Sequence, residues 1–306
     1  MPEFTPLQAK LIYNTKAGAA AKGSAARLNE VLQHLRGVNI LADTAQVAQA
    51  DEVTAAAAAA VRDGYSLIIA CGGDGTIESA ANALVAEQAT LGILPFGTRN
   101  NVARSLGIPL KIGDAARLLR TGRTHKIGAG LVTVGERQRW FLETFSVGLF
   151  SALYPHADAI QKGDLVRARD LLLTFVTSSA ARMHLTVDGT TTLSVKALAL
   201  IGVNMPSTGA NFRLGSGIAY DDEHIDIFLY DRLDQLDFLV YGFDVLAGMP
   251  EDPAIQRIRA RQVSIQTLPF LPVMADGFEM GTGPVDVAMV AHGLNVIVGN
   301  APAKGV

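Results

Sequence analysis

The sequence has one cysteine, Cys71, so no disulfide can close within the chain, and a reducing compartment is expected. It also lacks a long hydrophobic run. Hydrophobic residues make up 49% of the chain and mean hydropathy is +0.26. Yet the most apolar stretches, residues 53–61 (VTAAAAAAV) and 197–203 (ALALIGV), stop well short of a spanning helix. The opening MPEFTPLQAK lacks the basic start and apolar core of a signal segment, so a soluble, cytoplasmic protein is expected. Positive charge is not in excess. The net charge of −3 gives no case for a nucleic-acid partner. The balance is uneven, with 12 Lys/Arg against 10 Asp/Glu in residues 1–125 and 14 against 19 in residues 126–306. No internal repeat is visible. The six histidines (His34, His125, His156, His184, His224, His292) show no zinc spacing.

A length of 306 residues suggests two domains, and the texture changes near residue 125. Before that point, short apolar strands alternate with helical stretches. Strands are expected at residues 11–13, 38–41, 66–71 and 91–94, and helices at 25–35, 51–62, 77–87 and 115–120, with Ser24 and Asp114 placed as caps. This alternation implies a parallel sheet with right-handed crossovers. After residue 125 strand-like runs dominate, at 139–145, 183–187, 195–203, 224–230 and 263–267, with a turn signal at Asp188-Gly189. Helical stretches at 164–179 and 236–247 interrupt them. A mostly antiparallel, β-rich second domain follows, such as a sandwich. The tail is read as able to pack back on the first domain.

The residues with most chemical content are Gly72-Gly73-Asp74-Gly75-Thr76, between a buried strand and a helix. In a parallel sheet, ligands bind in the crevice at the carboxyl ends of the strands. Glycines let the backbone approach a phosphate closely, and the following helix points its first amides at the anion. Asp74 repels phosphate, and so fits a magnesium ligand acting through water, a partner for ribose or nucleophile, or simply the cap of a tight turn. A second glycine loop, Gly97-Thr98-Arg99-Asn100, follows the next strand. A third polar loop, Asn14-Thr15-Lys16-Ala17-Gly18, follows the first. Two phosphate-binding patterns are missing. In residues 18–24 (GAAAKGS) the lysine precedes the second glycine where a P-loop has it after, and no strand ends in Gly-x-Gly-x-x-Gly.

The GGDGT loop, the LGILPFGTRNNVARSLGIP run at 91–109 and the opening YNTKAG at 13–18 resemble the diacylglycerol kinase catalytic family. That family includes bacterial lipid kinases and sphingosine kinases, and shares its nucleotide domain with NAD kinases. The resemblance extends over nearly the whole chain. Asn204, Gly209, residues 221–226 (DDEHID) and Asp276-Gly277 fall at the family's later motifs. It implies an ATP-binding α/β domain at 1–125 and a β-rich lipid-substrate domain at 126–306. It further implies transfer of the γ-phosphoryl group of ATP to the hydroxyl of a diacylglycerol-like lipid. Asn14, Thr15, Lys16, Ala17, Gly18, Gly72, Gly73, Asp74, Gly75, Thr76, Gly97 and Thr98 would line the ATP site, with Asn100 supporting it. Asp74 would organise phosphates and magnesium. A structural magnesium would sit at Asp222 with the carbonyls of Ala219 and His224. The expected partners are a lipid substrate and, transiently, the inner membrane surface, with a homodimer left open.

The sequence also departs from the family pattern. Where the family has Asp-Gly-Glu, whose glutamate is taken as the base for the lipid hydroxyl, this chain reads Asp276-Gly277-Phe278. On a strand, Asp276 would point the same way as residue 278, making it the substitute base. Asn101 and Ser79 replace further family acids, and Glu223 replaces a glycine. Phosphoryl transfer depends more on positioning and charge stabilisation than on a strong base. A kinase of reduced activity is therefore expected. A soluble-substrate kinase of the NAD kinase type and a non-catalytic nucleotide binder are the alternatives. Arg257, Arg259 and Arg261 share the period of a strand face, to lean on an anionic membrane or to discourage edge pairing. Trp140, Phe141, Phe145 and Phe150 form core or the wall of an acyl pocket.

Overall fold

Short apolar runs alternating with amphipathic helices build one unit of the fold, and alternating strands build the other. The structure, a computed structural model, describes residues 5–17, 24–161, 166–205, 217–232, 237 and 255–299. The chain divides into Met1–Gly128 with His292–Val306, and Ala129–Ala291. Gly18, Gly209 and nearly all of the helix expected at 236–247 lie outside the described residues.

In the first unit, β1 (Leu7–Asn14), α1 (Ser24–Gly37), β2 (Ile40–Val47), α2 (Ala50–Arg62), β3 (Leu67–Gly72), α3 (Asp74–Asn82) and β4 (Thr90–Pro95) alternate along the chain. Two short helices follow, α4 (Asn101–Ser105) and α5 (Ile112–Thr121). The strands pair in parallel in the order β2-β1-β3-β4. β3 is buried at every position, as a strand covered on both faces must be. Because β2 lies on one side of β1 and β3 on the other, the strand order switches direction between β1 and β3. This is the position where open α/β sheets bind ligands.

Several boundaries differ from those expected. α3 starts at Asp74, inside the glycine loop, and ends at Asn82. α5 is capped by Lys111, leaving Asp114 in its first turn, where a carboxylate favours the helix dipole and pairs with Arg117. α4 was not anticipated. Five residues are too few to show a period.

The second unit is antiparallel. β5 (Arg123–Val134) leads into it and pairs with β6 (Arg137–Phe141). Then come β7 (Thr144–Gly148), α6 (Leu149–Gln161), α7 (Arg167–Thr177), β8 (Ala181–Val187), β9 (Thr191–Ala197), β10 (Ala199–Val203) and β11 (Ile225–Tyr230). β12 (Gln256–Ala260), β13 (Gln262–Leu268), β14 (Pro272–Ala275), β15 (Phe278–Thr282) and β16 (Val285–Val298) complete it. One sheet has the order β12-β11-β10-β7-β14-β15. In the other, the start of β16 pairs β13, which pairs β8, which pairs β9. The far end of β16 belongs to the first unit, where Asn295 and Val296 pair in parallel with β4. Met183, Leu185, Val263 and Ile265 from one sheet share a core with Phe145, Val147, Leu200 and Ile227 from the other, the arrangement of a sandwich.

Two runs read as single strands prove to be two. Residues 139–145 break at Leu142-Glu143 between β6 and β7, and residues 195–203 break at Leu198 between β9 and β10. In each case the two halves belong to different sheets, which a run of apolar residues cannot signal. The Asp188-Gly189 turn is as expected: both residues have positive φ, as a tight hairpin demands.

Candidate functional site

Three loops emerge at the carboxyl ends of β1, β3 and β4, and side chains and close backbone contacts tie them together. Asn14, the last residue of β1, donates from Nδ2 to Thr76 Oγ1 at 2.8 Å. Its Oδ1 accepts the Lys16 N–H at 2.9 Å, which turns the first loop. Thr15 is fixed to β2 through its N–H and hydroxyl, both donated to the Val47 carbonyl.

The second and third loops cross backbone to backbone. A Cβ on Gly97 would lie 2.6 Å from Gly73 Cα, and one on Gly72 would lie 2.3 Å from Thr76 Oγ1. Only glycine allows this approach. Asn100 holds the third loop shut: its Oδ1 accepts the Gly97 N–H and its Nδ2 donates to the Gly97 carbonyl, both at 2.9 Å. Its φ of 52° is left-handed, a conformation asparagine tolerates better than most residues.

Asp74 joins the second loop to the third. Its Oδ1 accepts the Val102 N–H at 3.2 Å, so the carboxylate sits over the N-terminus of α4. Burial raises its pKa, opposed by the amides of Asn101, Val102 and Asn100 and by the Arg99 guanidinium. This contact makes Asp74 a brace between loops as well as an acid at the crevice. Gly75 differs from its neighbours. It is exposed, it lies in the first turn of α3, and a Cβ there would meet nothing within 4 Å. Lys16 and Thr98 are also exposed, so the outer side of the three loops presents a cation, a hydroxyl and helix-start amides. Cys71, at the end of β3, is buried, which pushes its thiol pKa up and leaves it unreactive.

Asp276 has a different setting from the one expected. It is not on a strand. With Gly277 it forms the turn between β14 and β15, both residues at positive φ, so the period-of-two argument does not hold. Its oxygens accept the N–H groups of Leu142, Glu143 and Thr144 at 2.6–2.9 Å. From the other side, Asn204 donates its Nδ2 to the Leu142 carbonyl and its N–H to the Glu143 carbonyl. Two motif residues thus clamp the corner between β6 and β7. Burial pushes the Asp276 carboxyl up to about 6, against the three amides and Arg139, which pull it down.

Phe278, at the family's glutamate position, lies under the Arg139 guanidinium, whose Cζ is 3.4 Å from the ring centroid. Sequence reading missed this pair, since nothing marks two residues 139 positions apart as stacked partners. Phe141 and Phe145 are core, 5.6 Å apart.

At the expected magnesium position, Asp222 Oδ1 accepts the His224 N–H at 2.8 Å, and its Oδ2 is paired with Arg259. Arg261 pairs with Glu223 at 2.7 Å and Arg257 with Asp226 at 2.9 Å. The three arginines are therefore matched one to one by acids and do not form an open basic stripe, and Arg261 falls between β12 and β13 rather than on a strand. A divalent ion held by Asp222 and the carbonyls of Ala219 and His224 would compete with the Arg259 guanidinium for the Asp222 carboxylate. Among the described residues, no group of three His, Cys, Asp or Glu side chains could hold one.

Residues 8–132 match the diacylglycerol kinase catalytic domain, and residues 156–298 match the YegS C-terminal NAD kinase beta sandwich-like domain. A diacylglycerol kinase of Mycobacterium tuberculosis is 26% identical over 301 residues, covering 96% of this chain and 94% of the relative. One of Bacillus subtilis is 37% identical over 128 residues, 41% of this chain and 42% of the relative. The match spans about half the length, or less, of the first curated relatives, 55% in one and 42% in another. A crystal structure of a diacylglycerol kinase from Bacillus anthracis has the same fold, with a TM-score of 0.74, 20% identity and coverage of 96% of this chain and 98% of that one. The chain thus carries a diacylglycerol kinase catalytic domain followed by a YegS-type C-terminal domain.

Proposed function

We propose that this chain transfers the γ-phosphoryl group of ATP to a hydroxyl of a diacylglycerol-like lipid. The convergence of the three loops at the switch point between β1 and β3 carries this reading. Phosphoryl transfer needs positioned donors and fixed charge more than covalent chemistry. Gly75 offers an unobstructed approach to helix-start amides, and Lys16 and Arg99 supply positive charge near the phosphates. Asp74 is the carboxylate at this rim. One carboxylate together with nucleotide phosphates is a common donor set for magnesium, which when bound would offset charge on the transferring group. Asp74 would orient that ion while bracing the third loop.

A cavity of about 600 Å³ lies beside α6 and the β14–β15 hairpin, lined by Ala152, Pro155, Val273 and Met274 among others. Its apolar wall suits an acyl chain. A non-catalytic nucleotide binder is the second reading, and the Arg139–Phe278 stack favours it, since no carboxylate stands at that position.

The test is transfer of label from γ-labelled ATP to a total lipid extract and, separately, to aqueous metabolites. The proposal expects label in the organic phase. Label only in the aqueous phase would indicate a soluble substrate, and ATP binding without transfer would favour the second reading.

A further inference from the structure

α7 is amphipathic with its apolar face turned outward. Val166, Leu172 and Val176 are 81%, 62% and 63% exposed, and Leu173 is also exposed. With Arg169 these residues recur at the three- and four-residue spacing of one helix face. The opposite face is the attached one. Phe175 packs on the core cluster that α6 shares with Ile201 and Phe228, and Thr174 contacts His156 of α6. A second apolar element is Leu268, the last residue of β13, with Phe270 in the segment that follows it, 71% and 59% exposed. The two elements flank one cavity, the 600 Å³ space lined by Arg167 at the start of α7 and by Pro272 just after that segment. Together they hold six of the nine large apolar side chains that are exposed among the described residues. Apolar exposure this concentrated marks an interaction surface.

Charge indicates what covers it. Residues 126–306 are acidic, with 14 Lys/Arg against 19 Asp/Glu, yet this surface carries four exposed cations against one unmatched acid, Glu279 at the cavity wall. Arg182 pairs in register with Leu268 on one side and Lys196 on the other, and both cations are exposed. Arg167 and Arg169 are exposed at the start of α7, where the acid Asp170 is paired with Arg167. Apolar side chains bordered by arginine and lysine are the chemistry of a helix lying in the headgroup region of an anionic bilayer. We infer that α7 and the Leu268–Phe270 segment dock this protein on an anionic membrane, bringing the cavity to the lipid surface. The inference rests on the lipid-kinase reading for its purpose, while its physical basis is the surface itself.

The test is cosedimentation of the full chain with vesicles of phosphatidylcholine, alone or with about one-third phosphatidylglycerol. The wild type should bind the anionic vesicles and bind the neutral ones weakly. The triple variant Leu172→Gln, Val176→Gln, Phe270→Ser should lose about tenfold in partitioning. Arg169→Glu with Arg182→Glu and Lys196→Glu should abolish the preference for anionic lipid. These positions are on the surface, so folding should be unchanged. ATP binding and transfer to a dispersed short-chain diacylglycerol should stay at wild-type level in both variants. Equal vesicle binding by wild type and the apolar variant overturns the inference. So does a wild-type dimer, seen by light scattering, that the apolar variant converts to monomer, because the face would then join two copies. Vesicle binding lost in the variants, with no phosphoryl transfer to any lipid by the wild type, would leave the docking surface standing and the kinase reading refuted.

Discussion

Replacing Gly75 by alanine should stabilise the protein and weaken its hold on ATP, two effects that rarely coincide. Gly75 is the second residue of α3, its φ is not left-handed, and a Cβ there meets nothing within 4 Å. Alanine in a helix is favoured over glycine by about 0.5–1 kcal/mol, which should raise the melting temperature by roughly 1–2 °C. The same methyl would project into the space where phosphate must approach the first amides of α3. A loss of about tenfold in ATP affinity, or about 1.4 kcal/mol, is expected. Gly97→Ala is the contrast. Its Cβ would sit 2.6 Å from Gly73 Cα and 2.9 Å from Asn100 Oδ1, and overpacking of this kind costs about 1–3 kcal/mol. Calorimetric melting and titration with magnesium-ATP give both quantities for each variant. A Gly75→Ala protein that is stabilised and binds ATP as tightly as wild type would show that phosphates do not pass this point.

Further outcomes follow from the other contacts. Asn14→Ala removes the tie between the first and second loops, so ATP affinity should fall severalfold with a stability loss of about 1 kcal/mol; unchanged affinity would detach β1 from the site. For Asp276, burial raises the folded-state pKa above the unfolded value of about 3.9. The folded state therefore binds more protons between pH 4 and about 6, and the stabilisation present at low pH is lost as pH rises through about 6. Denaturation of wild type against Asp276→Asn should show the wild type gaining relative stability as pH falls from 7 toward 4. The opposite slope would mean that the three amides hold the carboxylate ionised. Phe278→Glu should pair with Arg139, which would hold the new carboxylate ionised at a lowered pKa. Turnover should therefore rise more in Phe278→Glu with Arg139→Gln than in Phe278→Glu alone, with KM little changed; no gain in either folded variant counts against a base at residue 278.

Much of the first unit was legible because parallel sheets write themselves in buried runs and glycine turns. The β3 run and the loop after it mark the turn into α3, where Gly72 leaves room for the Thr76 side chain and Gly73 and Gly97 let two backbones approach. What the sequence could not show was contact between distant segments. Nothing in the local pattern reveals that Asp74 reaches the amides of α4, or that Asp276 and Asn204 grip opposite sides of the Leu142–Thr144 corner. Asp276 shows why. A period of two applies only on a strand, and a residue at positive φ in a turn points elsewhere. The pairing of Asp222 with Arg259 is hidden in the same way, because Arg259 is remote in sequence and meets the acid only when β12 lies against β11. The outward apolar face of α7 has helical spacing in the sequence, but spacing alone does not say which face is covered.

Amide hydrogen exchange with and without magnesium-ATP tests the central claim most directly, since it reports where the nucleotide lies. Protection should rise at residues 14–17, 73–76 and 98–102 and nowhere comparable in residues 129–205. A protein that binds ATP tightly yet gains no protection at 73–76 would contradict the assignment of the phosphate crevice to these loops.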